Sequence, residues 1–107
     1  MLFGLRVIRM TESLPRSRAA DVVSRQLIRC ATSVGANYRA ACRAKSRVDF
    51  IAKLKIVEEE CDESLYWMEM LVRSGLIAED GVSSLIQEAN EILSMVVTSI
   101  KTARSRH

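Results

Sequence analysis

Residues 33–67 read SVGANYRAACRAKSRVDFIAKLKIVEEECDESLYW. Two long helical patterns meet here at a basic turn, RAKSR (43–47), and the second runs straight into a carboxylate cluster, EEECDE (58–63). A helix turns about 100° per residue. Upstream of the turn, Val23, Leu27, Cys30, Ala31, Val34, Tyr38 and Ala41 therefore share one face. Arg18, Arg25, Arg29 and Arg43 fall almost opposite, with Arg39 slightly off that line. Downstream, Phe50, Leu54, Val57, Cys61, Leu65, Met68 and Val72 form a second stripe. Each pattern has one apolar side and one charged side, as a helix packed against neighbours requires.

Local signals bound both helices. Ser17, just after Pro15, is placed to cap the upstream one; Ser46 stands three residues before Asp49, the spacing of a capping box; Gly75 offers a stop. Gly35, inside the upstream pattern, costs about 1 kcal/mol relative to alanine and suggests a bend or a close helix contact. Working outward, Val82, Leu85, Ile86, Ala89, Ile92, Leu93, Val96, Ile100 and Ala103 make a broad apolar face on a C-terminal helix. Phe3, Val7, Met10 and Leu14 make a narrower one at the N-terminus. The expectation is all-α: an antiparallel up-down-up-down four-helix bundle forming one domain, 1–107, with helices at about 2–13, 17–44, 47–74 and 79–104. The first helix is about half as long as the others, so it covers only part of the bundle.

A chain of 107 residues with 49% hydrophobic content buries a core without metal or disulfide. No apolar run reaches the roughly 20 residues that span a bilayer, and MLFGLR is too short for a secretory signal. Cys30, Cys42 and Cys61 form no C-x-x-C pair, and their odd number suits a reducing compartment, so a cytoplasmic location and no membrane partner are expected. His107 is the sole histidine, which excludes the usual zinc sets and the Glu-x-x-His motifs of di-iron bundles. Without a histidine base, a glycine-rich phosphate loop or a nucleophile elbow, the sequence nominates no catalytic residue, metal or cofactor.

Charge is segregated along the chain. Residues 1–56 carry twelve Lys/Arg against Glu12, Asp21 and Asp49, a net +9; residues 57–92 carry Arg73 against ten Asp/Glu, a net −9. In an antiparallel bundle the 43–47 turn, the end of the fourth helix and the start of the first share one pole. That pole gathers Arg39, Arg43, Lys45, Arg47, Lys53 and Lys55 with Lys101, Arg104 and Arg106, and with Arg6 and Arg9. The helix macrodipole favours cations at helix C-termini but disfavours them in a first turn, where Arg47 stands. An anionic partner is the natural reason for such a pole, and Arg39, Arg43, Lys45, Arg47, Lys53 and Lys55 are the candidate phosphate contacts to RNA or DNA. The alternative is a protein scaffold docking an acidic partner, with no nucleic-acid role. A further apolar patch, Ile56, Trp67, Met70 and Leu71 flanked by Glu60 and Glu63, has the composition of a subunit contact. Ile56, Glu60, Glu63, Trp67 and Met70 are accordingly the candidate oligomer interface.

The segment from Thr11 to Leu71, through ATSVGANYRAA (31–41) and EEECDESLYW (58–67), resembles the four-helix bundle proteins related to those encoded in intervening sequences of bacterial large-subunit ribosomal RNA genes. EANEIL (88–93) and SIKTAR (99–104) are similar to that family's last helix. The resemblance implies an up-down-up-down bundle assembling into a homopentamer, with no established catalytic residue. It also extends to accessory proteins of diversity-generating retroelements, whose pentameric barrels bind nucleic acid and a reverse transcriptase through basic surfaces. Relatives usually have a longer first helix than the one read here.

Overall fold

The computed structural model describes residues 2–106. Four α-helices follow in order: α1 (Phe3–Glu12), α2 (Arg18–Cys42), α3 (Arg47–Arg73) and α4 (Ser83–Ser105). Two serines set the N-termini of the long central pair. Ser17 Oγ accepts from the Ala20 N–H and Ser46 Oγ from the Asp49 N–H, each at 3.0 Å, from extended cap conformations. Arg43 closes α2 without helical geometry, and Gly75, at φ 79°, turns the chain out of α3. A 3₁₀ turn, Glu79–Gly81, occupies the expected start of the last helix, which begins instead at Ser83. Gly81 lets this turn close against Ile77: a Cβ there would stand 2.9 Å from Ile77 Cγ1.

The helices alternate in direction around a closed ring of contacts. Arg29 of α2 meets Glu60 and Glu63 of α3 while Cys42 and Arg47 adjoin at the turn, so α2 and α3 run antiparallel. Cys61 Sγ donates to the Ala89 carbonyl of α4 at 3.2 Å, and Lys55 and Glu58 lie beside Lys101 and Arg104, so α4 opposes α3. α1 closes the ring against α2 and α4. The core holds Phe3, Val7 and Met10 from α1, Leu27, Ala31 and Val34 from α2, Leu54, Val57, Cys61, Met68 and Leu71 from α3, and Leu85, Ala89, Ile92, Val96 and Ile100 from α4. The apolar stripes read from the sequence supply most of it.

Two local readings are corrected. Leu71, grouped with the outer Trp67 patch, is wholly buried, because it lies one turn from Met68 on the side of α3 that faces α2. Gly35 neither bends α2 nor sits against a neighbour: the helix is continuous, and a Cβ there would meet nothing within 4 Å. The close contact belongs to Gly4, whose Cβ would stand 3.3 Å from the Ala31 carbonyl oxygen. That contact also fixes the height at which α1 docks on α2. Gly4 lies at the level of Ala31 and Thr32, half-way along α2, and Thr11 and Glu12 reach Asp21 and Ser24 near its start. Among the described residues, α1 therefore lies along the lower half of the bundle, beside α2 and α4.

Candidate nucleic-acid interface

At the upper pole the end of α2, the start of α3 and the end of α4 converge. Arg43, Lys45 and Arg47 surround the turn, Arg39 stands one helical turn below on α2, and Arg106 comes in from α4. Lys55 lies with Lys101 and Arg104 around a shallow groove on the α3/α4 flank, with Glu58 as the neighbouring acid. Lys53 is half-buried and the other cations of this group are exposed. Among the described residues, none of Arg39, Arg43, Lys45, Arg47, Lys53, Lys55, Lys101, Arg104 and Arg106 makes an ion pair. The ion pairs that do form involve Arg6, Arg29 and Arg73, all below the pole. Nine cations at one end without carboxylate partners leave a field that an anion would neutralise.

Two cations expected at this pole are absent from it. Arg6 pairs with Glu88 and donates to Ser84 Oγ at 2.9 Å, and Arg9 follows nearly one turn closer to the lower end. The sequence reading started α1 at the upper pole, whereas Gly4 lies at the level of Ala31 and Thr32, at mid-height.

Beyond the first described residues of α1 lies a feature the charge pattern alone did not reveal. Between α2 and α4, and capped by the start of α3, is a cleft of about 550 Å³. Ala41, Ala44, Phe50 and Ala103 contribute apolar surface, Arg47 and Arg106 the cations, and Ser46, Thr98, Ser99 and Thr102 hydroxyls. Cys42 stands exposed in the wall. Tyr38, one turn below, has its phenol raised above the usual tyrosine value, first by the charge of an ionised Cys42 and then by burial. The small and hydroxylated residues of this part of α4, Thr98, Ser99, Thr102 and Ala103, were the available signal for this hollow.

The acidic face behaves differently. Arg29 spans to Glu60 at 3.2 Å and to Glu63 at 2.6 Å, tying α2 to α3 across their outer groove. Exposed pairs of this kind contribute about 0.2–1 kcal/mol each. Val22 on α2 is 49% exposed, and on α3 Ile56 is 37% and Tyr66 51% exposed, while Trp67 and Met70 are half-buried. The Trp67 indole N–H is buried without a hydrogen-bond partner among the described residues. Among these residues no three His, Cys, Asp or Glu are disposed to hold a metal, and no helix is long and apolar enough to cross a membrane.

Comparison with known proteins places the chain in a family. The model of the 23S rRNA-intervening sequence protein family matches residues 1–98. The chain belongs to that family. A crystal structure of an S23 ribosomal protein family member from Bacteroides thetaiotaomicron, described as of unknown function, superposes with a TM-score of 0.86 at 36% identity, covering 92% of each chain. No match is found among curated proteins. Membership in the 23S rRNA-intervening sequence protein family accounts for the four-helix fold; the family's own description assigns it no activity.

Proposed function

We propose that this chain is a non-enzymatic, oligomeric cytoplasmic protein that binds RNA or DNA through its basic pole with weak sequence specificity. The supporting observation is the convergence of nine cations from α2, α3 and α4 on one end, none of them engaged by a carboxylate among the described residues. Arg47 in the first turn of α3 works against the helix dipole, so helix stability does not explain its presence. Phosphate contacts position a nucleic acid without reading its bases, which is why specificity is expected to be low. Exposed Val22, Ile56 and Tyr66 beside Trp67 and Met70 form the surface through which copies would associate, flanked by Glu60 and Glu63, and the family resemblance favours five copies. A ring repeating one modest basic pole would multiply its effective affinity.

Charge reversal tests this reading. Arg39→Glu, Arg43→Glu and Arg47→Glu combined should strongly weaken retention of RNA and DNA in a gel-shift assay while circular dichroism stays helical, since all three side chains are exposed. Unchanged retention would remove the pole from nucleic-acid binding. A protein complex sensitive to the reversal, with no nucleic acid bound by the parent, would favour an acidic protein partner.

A further inference from the structure

We infer that the groove between the upper halves of α3 and α4 holds a phosphomonoester, the terminal phosphate of a nucleic-acid strand, so that the basic pole takes strand ends in preference to continuous backbone. This rests on the proposed nucleic-acid role of the pole and adds which part of the polymer is gripped. Lys55 stands on the α3 side of the groove, Lys101 and Arg104 stand on the α4 side, and Val97 and Ile100 contribute apolar surface. All three cations are exposed, and none makes an ion pair among the described residues. Like charges lining an apolar groove concentrate their field inside it. Two magnitudes select the ligand. The groove encloses about 180 Å³, below the roughly 300 Å³ at which small-ligand sites begin, so it admits a phosphate group and leaves the nucleoside outside. Its three cations against one carboxylate, Glu58, leave a net charge of +2. A phosphomonoester carries about −1.5 to −2 at pH 7, whereas a backbone phosphate carries a single negative charge. The charges along α3 give the direction. Asp62 lies about two turns below Lys55 on the same side of the helix, with Glu58 between them. A backbone continuing down the groove would meet these carboxylates, so a strand that enters from the pole ends here.

Fluorescence anisotropy on the full chain, at fixed ionic strength, would compare one short single-stranded RNA with an internal dye in three forms: 5′-phosphorylated, 3′-phosphorylated and hydroxyl-ended. The parent should bind at least one phosphorylated form about 10-fold more tightly than the hydroxyl-ended RNA, the order expected where a charged group gains hydrogen bonds. Lys101→Gln with Arg104→Gln should bring that ratio to about 1, since the cations that distinguish the forms are gone. Both positions are exposed, and circular dichroism would verify that the helices persist. Arg43→Gln with Lys45→Gln removes the same charge from the turn and should weaken all three forms while keeping the ratio near about 10. Equal binding of the three forms by the parent would overturn the inference and leave the basic-pole reading standing. A ratio that survives Lys101→Gln with Arg104→Gln would place the terminal phosphate elsewhere and overturn it as well. Binding of no RNA overturns both readings. Adenosine monophosphate or a phosphoserine peptide that binds as tightly as the phosphorylated RNA would assign the groove to a free phosphomonoester or a modified protein and overturn the strand-end assignment.

Discussion

Single residues show where apolar periodicity suffices and where it does not. Leu27, Val34, Val57 and Met68 were placed in the core by spacing alone, because a helix face is fixed by its 100° step and all four are wholly buried. Gly35 was misread because a glycine inside a helix signals an unusual backbone or a close neighbour equally well, and only the packing reveals that it has neither. Gly35→Ala should therefore raise stability by about 0.5–1 kcal/mol, seen as a higher urea midpoint at unchanged slope. A lower midpoint would mean that the free protein packs something against this position. The cysteines yield a pH prediction. Burial, with Asp62 and Cys30 adding to it, pushes the Cys61 thiol from its ordinary 9.0 up to about 12. Burial also raises Cys30. The unfolded Cys61 thiol ionises near 9.0 and the folded one does not until about 12, so its contribution is complete below pH 9 and is lost above it. Stability should fall with rising pH between about 9 and 12, by up to about 1.4 kcal/mol per unit from this thiol. Cys61→Ala, measured by urea titrations at pH 8 and above 9, should flatten that fall, and an equally steep fall in the variant would contradict it.

At the scale of elements, the caps at Ser17 and Ser46 and the stop at Gly75 were legible because each satisfies a backbone requirement local to a few residues. The height at which α1 docks was not. It depends on Gly4 meeting the Ala31 carbonyl, a tertiary contact that leaves no periodic trace, and missing it misplaced Arg6 and Arg9 at the basic pole. Gly4→Val would drive a branched side chain into the α2 backbone, and overpacking of this kind costs about 1–3 kcal/mol. Hydrogen exchange should show the loss concentrated in Phe3–Glu12, with the α2 and α3 amides protected as before. Uniform loss of protection would mean that α1 does not open separately. Ser46→Ala, by contrast, should cost about 1 kcal/mol, read from urea denaturation, through the lost Asp49 N–H bond.

For the whole molecule, charge segregation along the chain becomes charge separation in space only because the helices alternate in direction. The sequence carried enough to nominate Arg39, Arg43, Lys45, Arg47, Lys53 and Lys55, since the 43–47 turn is short. It did not reveal the hollow lined by Ala41, Phe50 and Thr102, which depends on how α2, α3 and α4 pack together. Self-association is a separate matter from ligand binding. Trp67→Ala should lower the mass seen by light scattering, and an unchanged mass would remove that residue from the subunit contact. The central claim is that the pole binds phosphates, and its most direct test is the salt dependence of RNA affinity. With the six nominated cations engaged on a single strand, log K should fall against log salt with a slope approaching about −4 per chain, and Arg39→Glu, Arg43→Glu and Arg47→Glu together should roughly halve it. A flat dependence from low to moderate salt would contradict the assignment.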